Sequence, residues 1–299
     1  MRIVFLGNHN VGLEVISEIK QTGGLVGILA HPEDPEDGIV YKSVYDYAVQ
    51  NNIPVIRAKP KDEQFESFIR RCAPDLLWVT DYRYIISKSI VGIAANGAIN
   101  LHPSLLPKYR GRASINWAII NQETELGLTA HFIDAGVDSG DIIEQIRFEI
   151  DSDTYIGEAL ERYYPLYREI TRKVLERLAN GTVSRKKQQR IDDYPVYPKR
   201  TAEDGKIDWN KPAVEIRSLI RAVSKPYPGA FGYVTEKKLT IWRANVVKDD
   251  SSEAKEGTII RIVGDTIYVK CKDGLLEITD YTIDPFTILE PGLVITSSK

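Results

Sequence analysis

The first half of the chain alternates short apolar runs with amphipathic stretches. Residues 2–7 are almost wholly apolar and end at a glycine, as buried strands do, and residues 11–20 follow with apolar positions at helical spacing. Strands that alternate with helices predict βαβ units, and continuous apolar strands fit a sheet covered on both faces. The predicted fold is therefore an α/β, doubly wound, mostly parallel sheet of the Rossmann-like kind. Further strands are predicted over 25–30, 54–58, 75–80 and 97–102, and helices over 41–50 and 62–71.

The pattern changes after residue 125. Two longer strands are predicted over 126–133 and 141–150, followed by a long helix over 154–180. A polar stretch with three consecutive basic residues follows, and beyond it come one helix and several short, turn-bounded strands. These strands predict a smaller β-rich domain of the open-barrel, OB-like kind. The predicted organisation is an N-terminal domain over 1–180, a linker over 181–205 and a C-terminal β-rich domain over 206–299.

Composition narrows the class of protein. The 299 residues include 43% hydrophobic and 27% charged residues, which is the mix of a soluble globular protein and excludes a long disordered chain. No apolar run reaches the 18 residues of a membrane span. Two cysteines can build neither a disulfide scaffold nor a cysteine-based zinc site, so we expect a cytoplasmic protein. A net charge of −3 disfavours a surface made for nucleic acid.

The segment from Asn100 to Arg112 carries the strongest chemical signal. Asn100 and His102 alternate at the end of a predicted strand, so their side chains share a face. The carboxyl end of a parallel strand is where ligands bind in open α/β sheets. A histidine there can act as a general base and an asparagine can donate to a developing oxyanion. The alternative interpretation is a polar strand end with a hydrogen-bonded histidine.

Three weaker candidates accompany that segment. The turn between Gly7 and Gly12 could cradle an anion or could be a tight turn, and it is neither a dinucleotide fingerprint nor a P-loop. Asp138 could orient His102, although most loop aspartates only form turns. His131 lies inside an apolar strand and is interpreted as structural. No His, Asp or Glu spacing requires a metal.

Several of these motifs together resemble a known family. Asn100-Leu-His102, Ser104-Leu-Leu-Pro107, Arg110-Gly111 and Asp138 occur in the order and spacing of the N10-formyltetrahydrofolate-dependent formyltransferases. Arg200-Thr-Ala-Glu-Asp-Gly-Lys-Ile-Asp-Trp209 and the Pro226 to Phe231 block resemble the hinge and C-terminal entry of the same family. The resemblance covers nearly the whole chain.

The resemblance implies transfer of a formyl group from N10 of the folate to a primary amine, with no metal. Asn100, His102 and Asp138 match the catalytic trio: Asn100 would stabilise the oxyanion, and His102, oriented by Asp138, would handle protons. The backbone around the loop after the fourth strand would contact the pterin, although Asp81-Tyr-Arg-Tyr in this loop departs from the form common in tRNA-acting members. The implied folate-binding residues are Tyr84, Ile85, Ile86, Arg112, Asp134, Ala135, Gly136, Val137 and Asp138.

Three acceptors are known in this family: methionyl-tRNA, glycinamide ribonucleotide and nucleotide-linked amino sugars. Glycinamide enzymes resemble only the first 200 or so residues, so the C-terminal domain argues against them. A tRNA enzyme should be basic, yet residues 31–38 hold four acids and no Lys or Arg, and residues 200–299 hold 15 Lys and Arg against 15 Asp and Glu. The amino-acid sequences of the Lys108 to Arg112 and Glu203 to Trp209 stretches also most resemble those of the bacterial enzyme that formylates UDP-4-amino-4-deoxy-arabinose.

We therefore expect a sugar N-formyltransferase of cell-surface polysaccharide biosynthesis, with methionyl-tRNA formyltransferase as the alternative. Asn8 and Arg110 are nominated to bind the nucleotide-linked amino sugar, because they lie on the face that the folate would leave open. Neither nucleic acid nor a membrane is expected as a partner, and a homodimer is possible because sugar-acting relatives are commonly dimers. A non-catalytic folate- or nucleotide-binding protein and a formate-releasing hydrolase are minor alternatives.

Overall fold

The computed structural model describes residues 1–32, 42–248 and 253–298. Contacts divide the chain into two compact units. The first consists of Met1–Ser114, Glu125–Glu149 and Leu160–Pro198, and the second of Ile115–Thr124, Ile150–Ala159 and Lys199–Lys299. The domain boundaries predicted above stay a prediction, and residues 181–198 group with the first unit. No helix in the described ranges combines the length and apolar character needed to cross a bilayer.

A seven-stranded sheet forms the centre of the first unit, in the order β3-β2-β1-β4-β5-β7-β8. The first five of these strands pair in parallel, whereas β5, β7 and β8 pair antiparallel, so the predicted mostly parallel sheet is confirmed. Its strands are β1 (Ile3–Gly7), β2 (Leu25–Ala30), β3 (Val55–Arg57), β4 (Leu76–Thr80), β5 (Ala98–His102), β7 (Glu125–Phe132) and β8 (Ile142–Glu149). Two-residue strands β6 (Arg110–Gly111) and β9 (Val196–Tyr197) pair with each other.

Helices cover both faces of this sheet. Val4 and Leu6 of β1 pack with Phe65 and Ile69 in one apolar cluster. Phe5 points to the opposite face because side chains alternate along a strand, and there it lies against the start of α1 near Gly12. The helices of the chain are α1 (His9–Gln21), α2 (Val44–Gln50), α3 (Glu63–Cys72), α4 (Lys88–Val91), α5 (Ser114–Ile120), α6 (Ile156–Ala179) and α7 (Ala213–Val223).

The strand order reverses direction between β1 and β4. From β1 the chain builds outward to β2 and β3 on one side, and then to β4 and β5 on the other. Gly7 pairs with Thr80, and Thr80 pairs with Leu101, so the carboxyl ends of three strands lie in one row. Such a reversal opens a crevice outside the strand ends, which is where ligands bind in this class of sheet.

The second unit contains a five-stranded antiparallel sheet in the order β10-β11-β14-β13-β12. Its strands are β10 (Ala230–Val234), β11 (Lys237–Val247), β12 (Ile259–Val263), β13 (Thr266–Cys271) and β14 (Gly274–Thr282). The chain near its C-terminus bridges the two edge strands of this sheet, since Thr296 pairs with Tyr233 of β10 and Val294 pairs with Thr258 beside β12. The predicted β-rich fold is confirmed, and the bridging segment connects the two edges of its sheet.

Two stretches from earlier in the chain are built into this second unit. Asn116 in α5 donates from Nδ2 to the Ala222 carbonyl at 2.7 Å. The Tyr155 hydroxyl donates to the Ala244 carbonyl at 3.3 Å, and Arg221 donates to the Thr154 carbonyl at 2.8 Å. These buried polar contacts explain why α5 and residues 150–159 group with the C-terminal sheet.

Candidate active site

Polar side chains from β5, β7 and the loop between β7 and β8 meet at one point of the first unit. Asn100 Nδ2 lies 3.4 Å from Asp138 Oδ1, and His102 Nδ1 lies 3.5 Å from Asp138 Oδ2. Asn100 and His102 therefore share a face of β5, as their alternation predicts. The structure thus brings together all three residues of the expected trio.

His102 is buried, and both of its ring nitrogens face acceptors. Nε2–H donates to the Tyr109 carbonyl at 2.8 Å, so the neutral ring has its single N–H on that side. Burial lowers the pKa of His102, against the opposing effects of the Asp138 charge and the Tyr109 carbonyl. The ring can therefore take up a second proton at Nδ1, next to the carboxylate that would stabilise the imidazolium.

Asp138 occupies a backbone conformation that L residues rarely adopt, with φ of 48°. Its Oδ2 accepts a hydrogen bond from the Gly111 amide at 2.8 Å. Burial alone would raise the pKa of Asp138, but the His102 and His131 rings and the Gly111 amide outweigh burial and lower it. The carboxylate is thus ionised at neutral pH and is fixed by groups on three different segments.

His131 is a member of this cluster that the sequence did not reveal. It pairs with Asn100 across β7 and β5, and its Nδ1–H donates to the Phe132 carbonyl at 2.8 Å. Nε2 is then the acceptor nitrogen, and it receives the Asn100 amide at 3.1 Å. His131 also lies 3.7 Å from Asp138 Oδ1. Only the register between two antiparallel strands places it here, and no local pattern encodes that register.

The stretch predicted as a linker also contributes to the site. Gln188 Nε2 donates to the carbonyls of Asp138 and Gly140 at 2.8 and 2.9 Å. Strand β9 pairs with β6, which supplies the Gly111 amide that binds Asp138. Gly111 has φ of 98°, and a Cβ added there would lie 2.4 Å from the Tyr197 carbonyl, so only glycine fits. Residues 181–198 therefore frame the loop that carries Asp138.

The residues expected to contact the folate lie on two exposed loops and beside β6. Ile85 is 85% exposed, whereas Ile86 is buried in the core and Tyr84 is partly buried. Asp134 accepts from the Gly136 amide and the Ser139 hydroxyl, which shapes the loop of Asp134, Ala135, Gly136 and Val137. The Arg112 side chain is exposed, and its amide donates to the Tyr197 carbonyl.

The two nominated acceptor-binding residues have protein partners. Asn8 is buried, and its Nδ2 lies 3.4 Å from the His31 carbonyl. The Arg110 guanidinium donates to the carbonyls of Ile191 and Tyr194 at 3.1 and 2.8 Å and reaches the Val137 carbonyl at 3.5 Å. In this structure both side chains therefore contact backbone carbonyls of the protein itself.

A second histidine–carboxylate pair lies at the ends of β1 and β4. His9 Nδ1 is 2.6 Å from Asp81 Oδ2. His31 stacks edge-on to His9 with ring centroids 5.4 Å apart, and Tyr82 and Tyr84 lie beside His31. The acidic residues predicted to repel tRNA, Glu33 to Asp37, lie outside the described residues.

Comparisons with known proteins agree with this architecture. Residues 1–175 match the formyl transferase family, and residues 199–285 match the formyl transferase C-terminal domain. Methionyl-tRNA formyltransferase of Ruminiclostridium cellulolyticum is 35% identical over 291 residues, which cover 95% of this chain and 92% of the relative.

Two solved structures share the fold. The first is the structure of WlaRD, a sugar 3N-formyl transferase, determined in the presence of dTDP and 5-N-formyl-THF. It is 21% identical to this chain with a TM-score of 0.72, and the match covers 94% of this chain and 97% of WlaRD. The N-formyltransferase from Helicobacter canadensis, in complex with folinic acid and dTDP-3-aminofucose, is 22% identical with a TM-score of 0.68, covering 94% and 100%. The family model covers more than half of the chain, and the similarity to a methionyl-tRNA formyltransferase extends over almost all of it. The chain therefore belongs to the formyl transferase family.

Proposed function

We propose that this formyltransferase moves a formyl group from N10-formyltetrahydrofolate to the primary amine of a nucleotide-linked amino sugar. The cluster of Asn100, His102 and Asp138 supports the chemistry, and the charge balance of residues 200–299 carries the choice of acceptor. We also place the enzyme in the cytoplasm and expect it to work as a homodimer.

The protein's part in the chemistry follows from the contacts of the trio. An amine that attacks the formyl carbon drives negative charge onto the formyl oxygen and must lose a proton. The bond between that carbon and N10 then breaks, and N10 must gain a proton as tetrahydrofolate leaves. Asn100 can turn one amide N–H from its long 3.4 Å contact with Asp138 to that oxygen, while its bond to His131 holds the amide in place. His102 can hold the proton at Nδ1, where the Asp138 carboxylate stabilises the charged ring.

The two exposed loops fit a folate co-substrate, which supplies an activated formyl group when bound. Ile85 and Val137 expose apolar side chains on the loops that the family resemblance assigns to the pterin. A flat heteroaromatic ring that covers such side chains removes apolar surface from water. The exposed Arg112 side chain can pair with a folate carboxylate.

Charge favours a small acceptor over tRNA. Phosphate contacts from Lys and Arg supply most of the affinity of proteins for nucleic acid. Over residues 200–299 the 15 basic residues are balanced by 15 acidic ones, so this part of the chain has no excess positive charge to attract a phosphate backbone. The two solved structures with dTDP or dTDP-3-aminofucose share the fold, so a fold of this kind can accommodate a nucleotide-linked acceptor.

Methionyl-tRNA formyltransferase is the second candidate. The observation in its favour is the 35% identity to the Ruminiclostridium cellulolyticum enzyme, which extends over 95% of this chain. A shared domain plan can produce such a match without a shared acceptor, because fold and catalytic cluster are common to the family.

A coupled assay of tetrahydrofolate release tests the proposal. The purified full chain receives N10-formyltetrahydrofolate together with nucleotide-linked 3-amino or 4-amino sugars, or with methionyl-tRNA. We expect turnover with one of the sugar nucleotides and none above background with the tRNA. The Asp138→Asn variant, run alongside, measures the background, and the product is checked by mass for the added formyl group.

The same assay contains the outcome that contradicts the proposal. Turnover on methionyl-tRNA alone, with a KM that rises steeply with salt, would assign the tRNA function. Release of formate without any acceptor would indicate a hydrolase.

A further inference from the structure

The His9–Asp81 pair is a titratable cluster that the formyl-transfer trio does not use. His9 is the first residue of α1, just after β1, and Asp81 directly follows β4. One oxygen of the carboxylate, Oδ2, is 2.6 Å from His9 Nδ1. His9 and Asp81 have φ of 64° and 52°, in the left-handed region that L residues rarely adopt, so the backbone holds both residues in a fixed turn.

This pair lies at the reversal of strand order and next to the trio. Thr80 of β4 pairs with Leu101 of β5, so the residues that follow them, Asp81 and His102, leave neighbouring strands in the same row. Neighbouring strands are about 5 Å apart. Asp81 therefore lies at the end of β4, next to the end of β5 that carries His102 and between β5 and β1 in the strand order.

The charge of the Asp81 carboxylate determines what it can bind. Burial would raise the pKa of Asp81, but the hydrogen bond and charge of His9, with smaller contributions from His31 and Arg83, lower it. The carboxylate is therefore ionised at neutral pH, and its side chain is 48% exposed. Oδ2 is engaged by His9, and within the part of the chain that the structure describes no hydrogen bond is made to Oδ1, so this oxygen can meet a ligand.

An exposed carboxylate repels phosphate and attracts a cation. The first turn of α1 would otherwise suit an anion, because the Asn8 side chain does not cap the helix, but Asp81 adjoins it and opposes an anion there. The cation that a formyltransferase of this kind must receive is the acceptor amine, which is largely protonated near neutral pH.

We infer that Asp81, held in place by His9, binds the ammonium group of the incoming acceptor beside the formyl-transfer trio and selects acceptors that carry an amine. The inference rests on the proposed function in one respect, that the acceptor is a primary amine. It applies to an amino sugar and to methionyl-tRNA alike.

A bound carboxylate favours the charged form of the amine, so it improves binding and raises the pKa of the amine in the complex. Among the described residues, the charged and titratable groups that act on Asp81 are His9 after β1, His31 after β2 and Arg83 in its own loop. His102 follows Leu101 at the end of the neighbouring strand. Removing the Asp81 charge should weaken acceptor binding and also let the bound amine lose its proton at a lower pH.

The test compares wild-type enzyme with Asp81→Asn, which keeps the shape and removes the charge. Asp46→Asn is the matched control, because Asp46 is an exposed carboxylate in α2 whose partner Arg57 lies 3.8 Å away. We measure kcat and KM for the accepted amine from pH 6 to 9, and calorimetric binding of the acceptor and of its analogue with a hydroxyl in place of the amine.

For Asp81→Asn we expect the acceptor KM to rise about tenfold, the scale of a charge-assisted hydrogen bond. The acid limb of kcat should move to lower pH, the preference for amine over hydroxyl analogue should shrink by a similar factor, and the KM for the folate should stay unchanged. Asp46→Asn should match wild type in each measurement.

Equal weakening of the amine and hydroxyl analogues, or an unchanged acceptor KM, would overturn the inference. So would loss of folate binding, because Asp81 would then only shape its loop. If wild type formylates methionyl-tRNA and no sugar, the proposed acceptor is wrong, and the same comparison with methionyl-tRNA against its hydroxy-acid analogue still decides the role of Asp81.

Discussion

The polar contacts of the candidate active site converge on Asp138. Its carboxylate meets the amides of Asn100 and Gly111 and lies within 3.5 to 3.7 Å of the two histidine rings. A carboxylate in this position orients the side chains around it and stabilises positive charge on the histidine rings. A neutral amide in its place would not provide the negative charge that stabilises a protonated histidine.

We therefore expect Asp138→Asn to cut turnover about 100-fold or more, the usual scale for general acid–base catalysis. Single-turnover rates and folate binding are measured together, and binding should stay near the wild-type value. His102→Ala should lose turnover to a similar extent. Near-normal turnover in either variant would remove that residue from the mechanism, and Asp46→Asn serves as the unaffected carboxylate.

The charge of Asp138 also links stability to acid. Because its pKa in the folded protein lies below that of an unfolded aspartate, its contribution to the free energy of unfolding is fully present above about pH 4. That contribution is lost as the pH falls through the folded-state value. Urea unfolding of wild type and Asp138→Asn at pH 7 and pH 3.5 should show a steeper loss for wild type, and equal losses would contradict the assigned charge.

At the scale of elements, the segment 181–198 supports the loop that carries Asp138. Gln188 donates to two carbonyls of that loop, and β9 aligns the strand that contacts Asp138. Gln188→Met keeps the length of the side chain but removes both donors.

We expect Gln188→Met to lower the free energy of unfolding by about 1–3 kcal/mol, because two hydrogen bonds to partly buried carbonyls are lost, each worth about 0.5–1.5 kcal/mol. Turnover should fall and the folate KM should rise, since the loop that carries Asp138 and the expected folate-binding residues 134–137 loses its support. Gln64→Met is the control, because Gln64 makes one exposed bond to the Arg57 carbonyl. A variant that loses stability but keeps full turnover would limit Gln188 to a structural role.

How far sequence predicts these elements depends on how local their causes are. Strands β1 and β4 and helix α3 carry their own apolar periodicity, and Asn100 and His102 share a face through simple alternation, so both features could be predicted. Strands β6 and β9 are two residues each and exist only through pairing with each other. The place of His131 depends on strand register, and the inward turn of Arg110 depends on carbonyls more than 80 residues away.

For the molecule as a whole, the C-terminal bridge completes the second unit. Ile295 is buried within it, whereas the neighbouring Val294 is partly exposed. Amides and carbonyls of this segment pair with Gly257 and Tyr233, which satisfies the edges of the sheet.

Ile295→Ala should therefore lower the free energy of unfolding of the second unit by about 2–5 kcal/mol, the cost of a cavity in a packed core. Val294→Ala, one residue earlier with the same final side chain, should cost well under half as much. Urea unfolding followed by tryptophan fluorescence gives both values, since Trp209 and Trp242 lie in this unit. Equal effects would mean that the bridge does not form part of the core.

The early stretches built into the second unit have a consequence for synthesis on the ribosome. Asn116 is hydrogen-bonded to Ala222, and Tyr155 is hydrogen-bonded to Ala244. Each of these residues therefore leaves the ribosome roughly 90 to 110 residues before its hydrogen-bond partner. During that interval the apolar side of α5 has no partner in the nascent chain, and we expect it to be accessible to solvent and to chaperones. A gene cut near residue 180 would leave both stretches permanently without partners, and we expect such a fragment to aggregate when expressed alone.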